Sequence, residues 1–111
     1  MNLWYVIQTK PKKEEEAKCH LSTNGVEVFH PLIETFLVKK GRMTRELRPF
    51  FPGYICGKFD LDQNYPLVRW AKGVKKVLGF SEYPTPISDE VVEVIRERTD
   101  TRGIVRLKCH F

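Results

Sequence analysis

The segment PFFPGYICGKF, residues 49–59, restricts the fold more than any other stretch. Its Pro-Gly step marks a reversal. The residues after it alternate, so Tyr54, Cys56 and Lys58 share one face of a strand while Ile55 and Phe59 share the other. Two adjacent phenylalanines, a tyrosine and a third phenylalanine are difficult to bury together in one small core. With 111 residues the chain has room for only one compact domain.

The remaining composition describes an ordinary globular chain. Hydrophobic residues make up 41% and charged residues 30%, a balance that supports a packed core rather than disorder. No apolar run approaches the ~18 residues of a membrane span. MNLWYVIQTK lacks the basic start, long apolar stretch and small-residue cleavage site of a secretion signal, so a cytoplasmic location is expected. Three cysteines without framework spacing point to reduced thiols. Nineteen Lys and Arg against fourteen Asp and Glu leave a net charge of +5, which favours approach to a polyanion.

Along the chain, LWYVIQT (3–9) reads as a strand whose Leu3, Tyr5 and Ile7 face is the more apolar and is expected to meet the core. PKKEEEAKCHLSTNG predicts an amphipathic helix with Pro11 in its first turn and a stop at Asn24-Gly25. Extended segments broken at Pro31 lead into a basic β-hairpin with its tip near Gly41. A strand from Gly53 to Phe59 follows, then a short helix running from Asp60 through Ala71 to a stop at Gly73, and a strand over VKKVLGF (74–80). SEYPTPI is expected as a loop. Ser88 caps a last helix, SDEVVEVIRER, whose valines and Ile95 suggest cover on two sides. TDTRG then reads as a linker and IVRLKCHF as an extended tail. The pattern predicts an α+β fold: an antiparallel β-sheet flanked by about three α-helices.

Several chemistries are disfavoured. His20, His30 and His110, with Cys19 and Cys109, show no C-x-x-C or H-x-x-x-H spacing, so no metal is expected. No P-loop, nucleophile elbow or HExxH sequence is present, and Cys56 has no base among its neighbours, so neither catalysis nor a cofactor is expected. Basic residues are more informative. Lys10, Lys12 and Lys13 cluster where the first strand meets the first helix, and Arg69, Lys72, Lys75 and Lys76 surround Trp70, which is either core or part of a contact surface. Gly53, Tyr54 and Phe59 also match an RNA-recognition signature, although Pro52 stands where a basic residue belongs and Ile55 and Cys56 replace its small and stacking residues.

Taken in order, WYVIQTKP (4–11), GVEVFHP (25–31), RPFFPGYICGKFD (48–60), KGVKKVLGF (72–80) and PISDEVVEVI (86–95) resemble the N-terminal domain of the NusG family of transcription elongation factors, which includes specialised RfaH-type paralogues. The resemblance covers nearly the whole chain. It implies a monomeric, non-enzymatic domain that docks an apolar depression on the clamp helices of the largest RNA polymerase subunit and suppresses pausing or termination. Carried onto this sequence, the docking residues are Val6, Gln8, Phe51, Pro52, Tyr54, Cys56 and Val92. Lys10, Lys12, Lys13, His20, Arg69 and Lys72 correspond to the basic surface that specialised members turn to non-template DNA, and nascent RNA is a second candidate ligand. The domain would span residues 1–99, with 100–111 a linker or extended tail of the kind that leads, in the family, towards a KOW-bearing β-barrel. A self-sufficient RNA-binding module, using the sheet and its basic rim, is the alternative.

Overall fold

The computed structural model describes residues 2–80, 83–100 and 103–105. Its centre is a four-stranded antiparallel sheet in the order β2-β5-β1-β6, built from β1 (Asn2–Thr9), β2 (Glu27–Phe29), β5 (Tyr54–Asp60) and β6 (Val74–Val77). Leu3 pairs with Phe59, Val6 with Cys56, Ile7 with Ile55 and Gln8 with Tyr54. Because side chains alternate, this register sorts β1 and β5 into two faces.

Tyr5, Ile7, Ile55 and Phe59 point into the main core, where they meet Ala17 and Leu21 of α1 (Glu14–Thr23) and Val68 of α2 (Leu61–Arg69). The Tyr5 and Phe59 rings lie 4.7 Å apart in a tilted arrangement. The opposite face is also covered: Trp4, Phe29 and Cys56 pack with Val92 of α3 (Asp89–Glu97), joined by Ile87 and Ile95. Cover on one side of β1 alone therefore underestimates this sheet. The Ile87 N–H donates to the Trp4 carbonyl at 2.8 Å, bringing the chain before α3 across β1 and closing a second, smaller core.

The helices start for local reasons. Asp60 caps α2, its carboxylate accepting from the N–H groups of Asp62 and Gln63, and Ser88 caps α3 by accepting from Glu90. Pro11 lies in a turn ahead of α1, which begins at Glu14, and Glu14, Glu15 and Glu16 set three carboxylates in its positively polarised first turn. The predicted stop at Asn24-Gly25 is present. α2 ends at Arg69, leaving Ala71 outside it. Only one side of α3 is covered: Val92 is buried and Ile95 half-buried, whereas Val91 and Val94 face solvent. Among the described residues no layer lies above this helix.

β3 (Leu32–Lys39) and β4 (Arg42–Pro49) form a separate hairpin closed by Lys40 and Gly41, both with positive φ, as a two-residue primed turn requires. Its charge is unevenly placed. Thr35 and Leu37 share one face with Thr44, Glu46 and Arg48, while Phe36, Val38, Met43 and Leu47 lie exposed on the other around the 2.8 Å Arg45–Glu34 ion pair. "Basic" thus describes this ribbon incompletely.

The strand expected over residues 74–80 is divided at Leu78, and β7 (Gly79–Phe80) pairs instead with β8 (Tyr83–Pro84), inside the segment expected as a loop. The expected linker and tail are extended at residues 104 and 105 but not detached. Ile104 and Val105 are buried, the Leu32 N–H donates to the Gly103 carbonyl and the Val105 N–H to the Leu32 carbonyl. Residues 106–111, with Cys109 and His110, lie outside the described residues. Among the described residues no helix is long and apolar enough to cross a membrane.

Candidate functional site

The Pro-Gly step is a turn in which the Tyr54 N–H donates to the Phe51 carbonyl at 3.0 Å. Pro52 occupies the position where proline's fixed φ is favourable, and Gly53 follows with φ +85°, a conformation that disfavours a side chain. Two neighbours hold the turn: the Gly53 N–H donates to Glu14 Oε1 at 2.9 Å, and its carbonyl accepts from the Thr9 N–H at 2.8 Å. The turn therefore fixes Phe51 and Tyr54 at the entrance of β5, with the Phe50 ring edge-on to Phe51 at 4.7 Å.

These residues border an almost wholly apolar hollow of about 210 Å³. Val6, Phe51, Tyr54, Ile55 and Cys56 line the sheet side, and Ile87, Val91 and Ile95 the α3 side. Four of the seven docking candidates, Val6, Phe51, Tyr54 and Cys56, are thus brought together. Val92 is 1% exposed and packs beneath, against Trp4 and Phe29, so it supports the hollow without lining it. Gln8 is half-buried opposite Tyr54 and does not line it. Pro52 borders a different hollow beside His30. Val91 and Ile95, read from the sequence as covered helix positions, are not among the docking candidates, although their i, i+4 spacing carries the signal: such a pair lies along one helix edge.

Burial pushes the Cys56 thiol up to about 11, so it stays protonated near neutrality and packs as a small apolar group. In native protein at pH 8, a maleimide should label the exposed Cys19 well before Cys56, as read by peptide mass spectrometry. Equal rates would contradict this packing.

The basic candidates sit on several elements. The Lys10 N–H donates to the Gly73 carbonyl at 2.9 Å, joining the end of β1 to the turn after α2. Across this junction Glu16 meets Lys72 Nζ at 3.2 Å and Lys13 Nζ at 3.5 Å. The Lys72 hydrogen bond is the largest cause holding the Glu16 carboxyl below its usual range. His20 lies one helical turn beyond Glu16 on the same exposed side. Lys12, with φ +59°, borders the hollow beside His30, and the Arg69 guanidinium stacks 4.6 Å from the Trp70 ring centre. Trp70 is 77% exposed, which removes it from the core.

His30 has a buried side chain, and neither ring nitrogen has a hydrogen-bond partner among the described residues. Nε2 lies 3.6 Å from Glu15. Desolvation holds this imidazole below its ordinary 6.5, opposed by Glu15 and Glu14 and assisted by Lys18. The unfolded chain therefore takes up its proton first as pH falls. The resulting stability contribution is complete above the unfolded pKa of about 6.5 and declines below it, towards the depressed folded value. Urea midpoints at pH 7.5 and 5.5 should differ less in His30→Leu than in the native protein; an identical difference would exclude His30 as a source.

Comparison with known proteins agrees with this architecture. The family model described as "Transcription termination factor nusG" matches residues 2–96. The transcription termination/antitermination protein NusG of Buchnera aphidicola is 32% identical over 109 residues, covering 86% of this chain and 59% of the relative. Its counterpart from Escherichia coli K12 is 30% identical over 114 residues, covering 90% and 61%. The chain thus spans about three fifths of the length of these relatives. A solved chain of Thermotoga maritima NusG superposes with a TM-score of 0.51 at 20% identity, covering 81% of this chain and 52% of that one, a likeness of fold. With a sheet between helices, a Pro-Gly turn at the mouth of an apolar hollow and a family match from the first strand into the last helix, the chain belongs to the NusG family.

Proposed function

We propose that this chain is the polymerase-binding domain of a transcription elongation or antitermination factor, acting in the cytoplasm as a monomer without catalysis. The hollow between Tyr54 and α3 receives an amphipathic helix from the clamp coiled coil of the largest RNA polymerase subunit. One observation carries this reading: an open, almost wholly apolar hollow framed by Phe51, Tyr54, Val91 and Ile95. Such a surface suits the apolar stripe of a partner helix, which would bury what is otherwise left in water. The relatives' description as transcription termination/antitermination proteins supports it. Gln8, Pro52 and Val92 act indirectly, by supporting the hollow and its turn.

Lys10, Lys13, His20 and Lys72 form the side turned to non-template DNA or nascent RNA, with Lys12 and Arg69 at its margins. Opposing charge provides affinity there without by itself specifying sequence. The RNA-module alternative is weakened because α3 packs over Trp4 and Cys56, so that face is no open stacking platform.

Co-purification with RNA polymerase tests the docking. Retained binding after the hollow is filled by a charged side chain would overturn it. Pause and termination assays on several templates then separate a general factor, active on all, from a specialist active on one.

A further inference from the structure

We propose that the cleft between Tyr65 and Tyr83 is a subsite for an unpaired nucleobase, with Arg69 and Lys76 holding the phosphates beside it. The proposal rests on the reading of the Arg69 side as nucleic-acid-facing and adds a binding mode to it. The cleft has a volume of about 460 Å³ and is lined by Tyr65 and Arg69 of α2, Lys76 and Val77 of β6, and Leu78, Gly79 and Tyr83. Tyr83 is 80% exposed, so its ring is accessible to a ligand in the cleft. Among the described residues, no acid lines this cleft, and Asp62 borders a neighbouring hollow that shares Tyr65 and Tyr83 with it.

The chemistry is that of a strand rather than a duplex. Aromatic faces stack on any base, but only once that base has left its own stack, while Arg and Lys track the phosphates on either side. Arg69 is already oriented by its contact with Trp70, which reduces the ordering cost of forming a phosphate pair. The backbone positions the second tyrosine. A Cβ on Gly79 would collide with the Tyr83 carbonyl and come 2.6 Å from Pro84 Cα, so only glycine lets β8 approach β7 and carry Tyr83 to the cleft.

The test is fluorescence anisotropy of one mixed-sequence oligonucleotide prepared as single-stranded DNA, as single-stranded RNA and as duplex DNA. Tyr83→Ala should weaken single-strand binding roughly tenfold, the scale of one lost base stack. Tyr83→Phe should retain affinity, and duplex binding should be unaffected by either change. Because Tyr83 is exposed, circular dichroism melts should match the native protein; Gly79→Ala, which displaces the same wall without removing a ring or charge, should reproduce the loss. Tighter binding of the DNA or RNA strand identifies the source. If Tyr83→Ala binds as the native protein does while Lys10→Ala and Lys72→Ala bind weakly, the cleft is excluded and the basic surface stands. Failure of every oligonucleotide to bind overturns both.

Discussion

Tyr54→Asp should abolish co-purification with RNA polymerase and leave the domain folded. Tyr54 borders the hollow at the entrance of β5, yet it belongs to neither buried core cluster. Its backbone pairs with Gln8 whatever the side chain, and the preceding turn is held through Gly53. In the free protein an aspartate there can remain hydrated. Docking would strip that water in an apolar setting, at a cost of several kcal/mol, so affinity should fall about 100-fold or more. Tyr54→Phe keeps the apolar ring and should bind nearly as the native protein does. Polymerase recovered equally with Tyr54→Asp and native protein would falsify the docking assignment.

Trp4→Ala should cause the larger loss of stability. Trp4 fills the space between β1 and α3, in contact with Phe29, Cys56 and Val92. The Arg96 guanidinium lies 5.3 Å from both the Trp4 and Phe29 rings, while reaching Glu27 at 3.7 Å and Glu93 at 3.4 Å. Removing the indole leaves a cavity and takes away one of the aromatic faces beneath that cation. A buried Trp→Ala change costs ~3–5 kcal/mol, a large fraction of the ~5–15 kcal/mol available to a typical domain. Urea denaturation measures it. A loss below about 1 kcal/mol would mean that the second core is far looser than this packing. Polymerase binding should fall in parallel, because Val91 and Ile95 keep their place only while α3 is seated.

How far these features could be read in advance depended on how local their causes were. The cap at Ser88, a helix starting near Asp60, the stop at Asn24-Gly25, the reversal at Gly41 and the Pro-Gly turn each follow from a few adjacent residues, and all are present. Tyr54 and Cys56 were separated from Ile55 and Phe59 by parity alone. Long-range packing was not legible. Whether Trp4 or Leu3 faced an interior depended on α3, which arrives from the other end of the chain. Among the valines of α3, burial of Val92 and exposure of Val91 required its orientation on the sheet. Trp70 could have belonged to either category, since an indole beside basic residues packs or protrudes according to its neighbours. Tyr83 was hidden for a different reason: the β7–β8 pairing that positions it depends on a close backbone approach at Gly79, invisible in hydrophobic pattern.

The attachment at Leu32 has a mechanical consequence. Both backbone groups of this residue are engaged by Gly103 and Val105, so the base of the β3–β4 ribbon is gripped by chain that comes after the last helix. Because Val105 also bridges to Thr99, a pull on the chain there would be shared between the base of the ribbon and the end of α3, coupling the two mechanically.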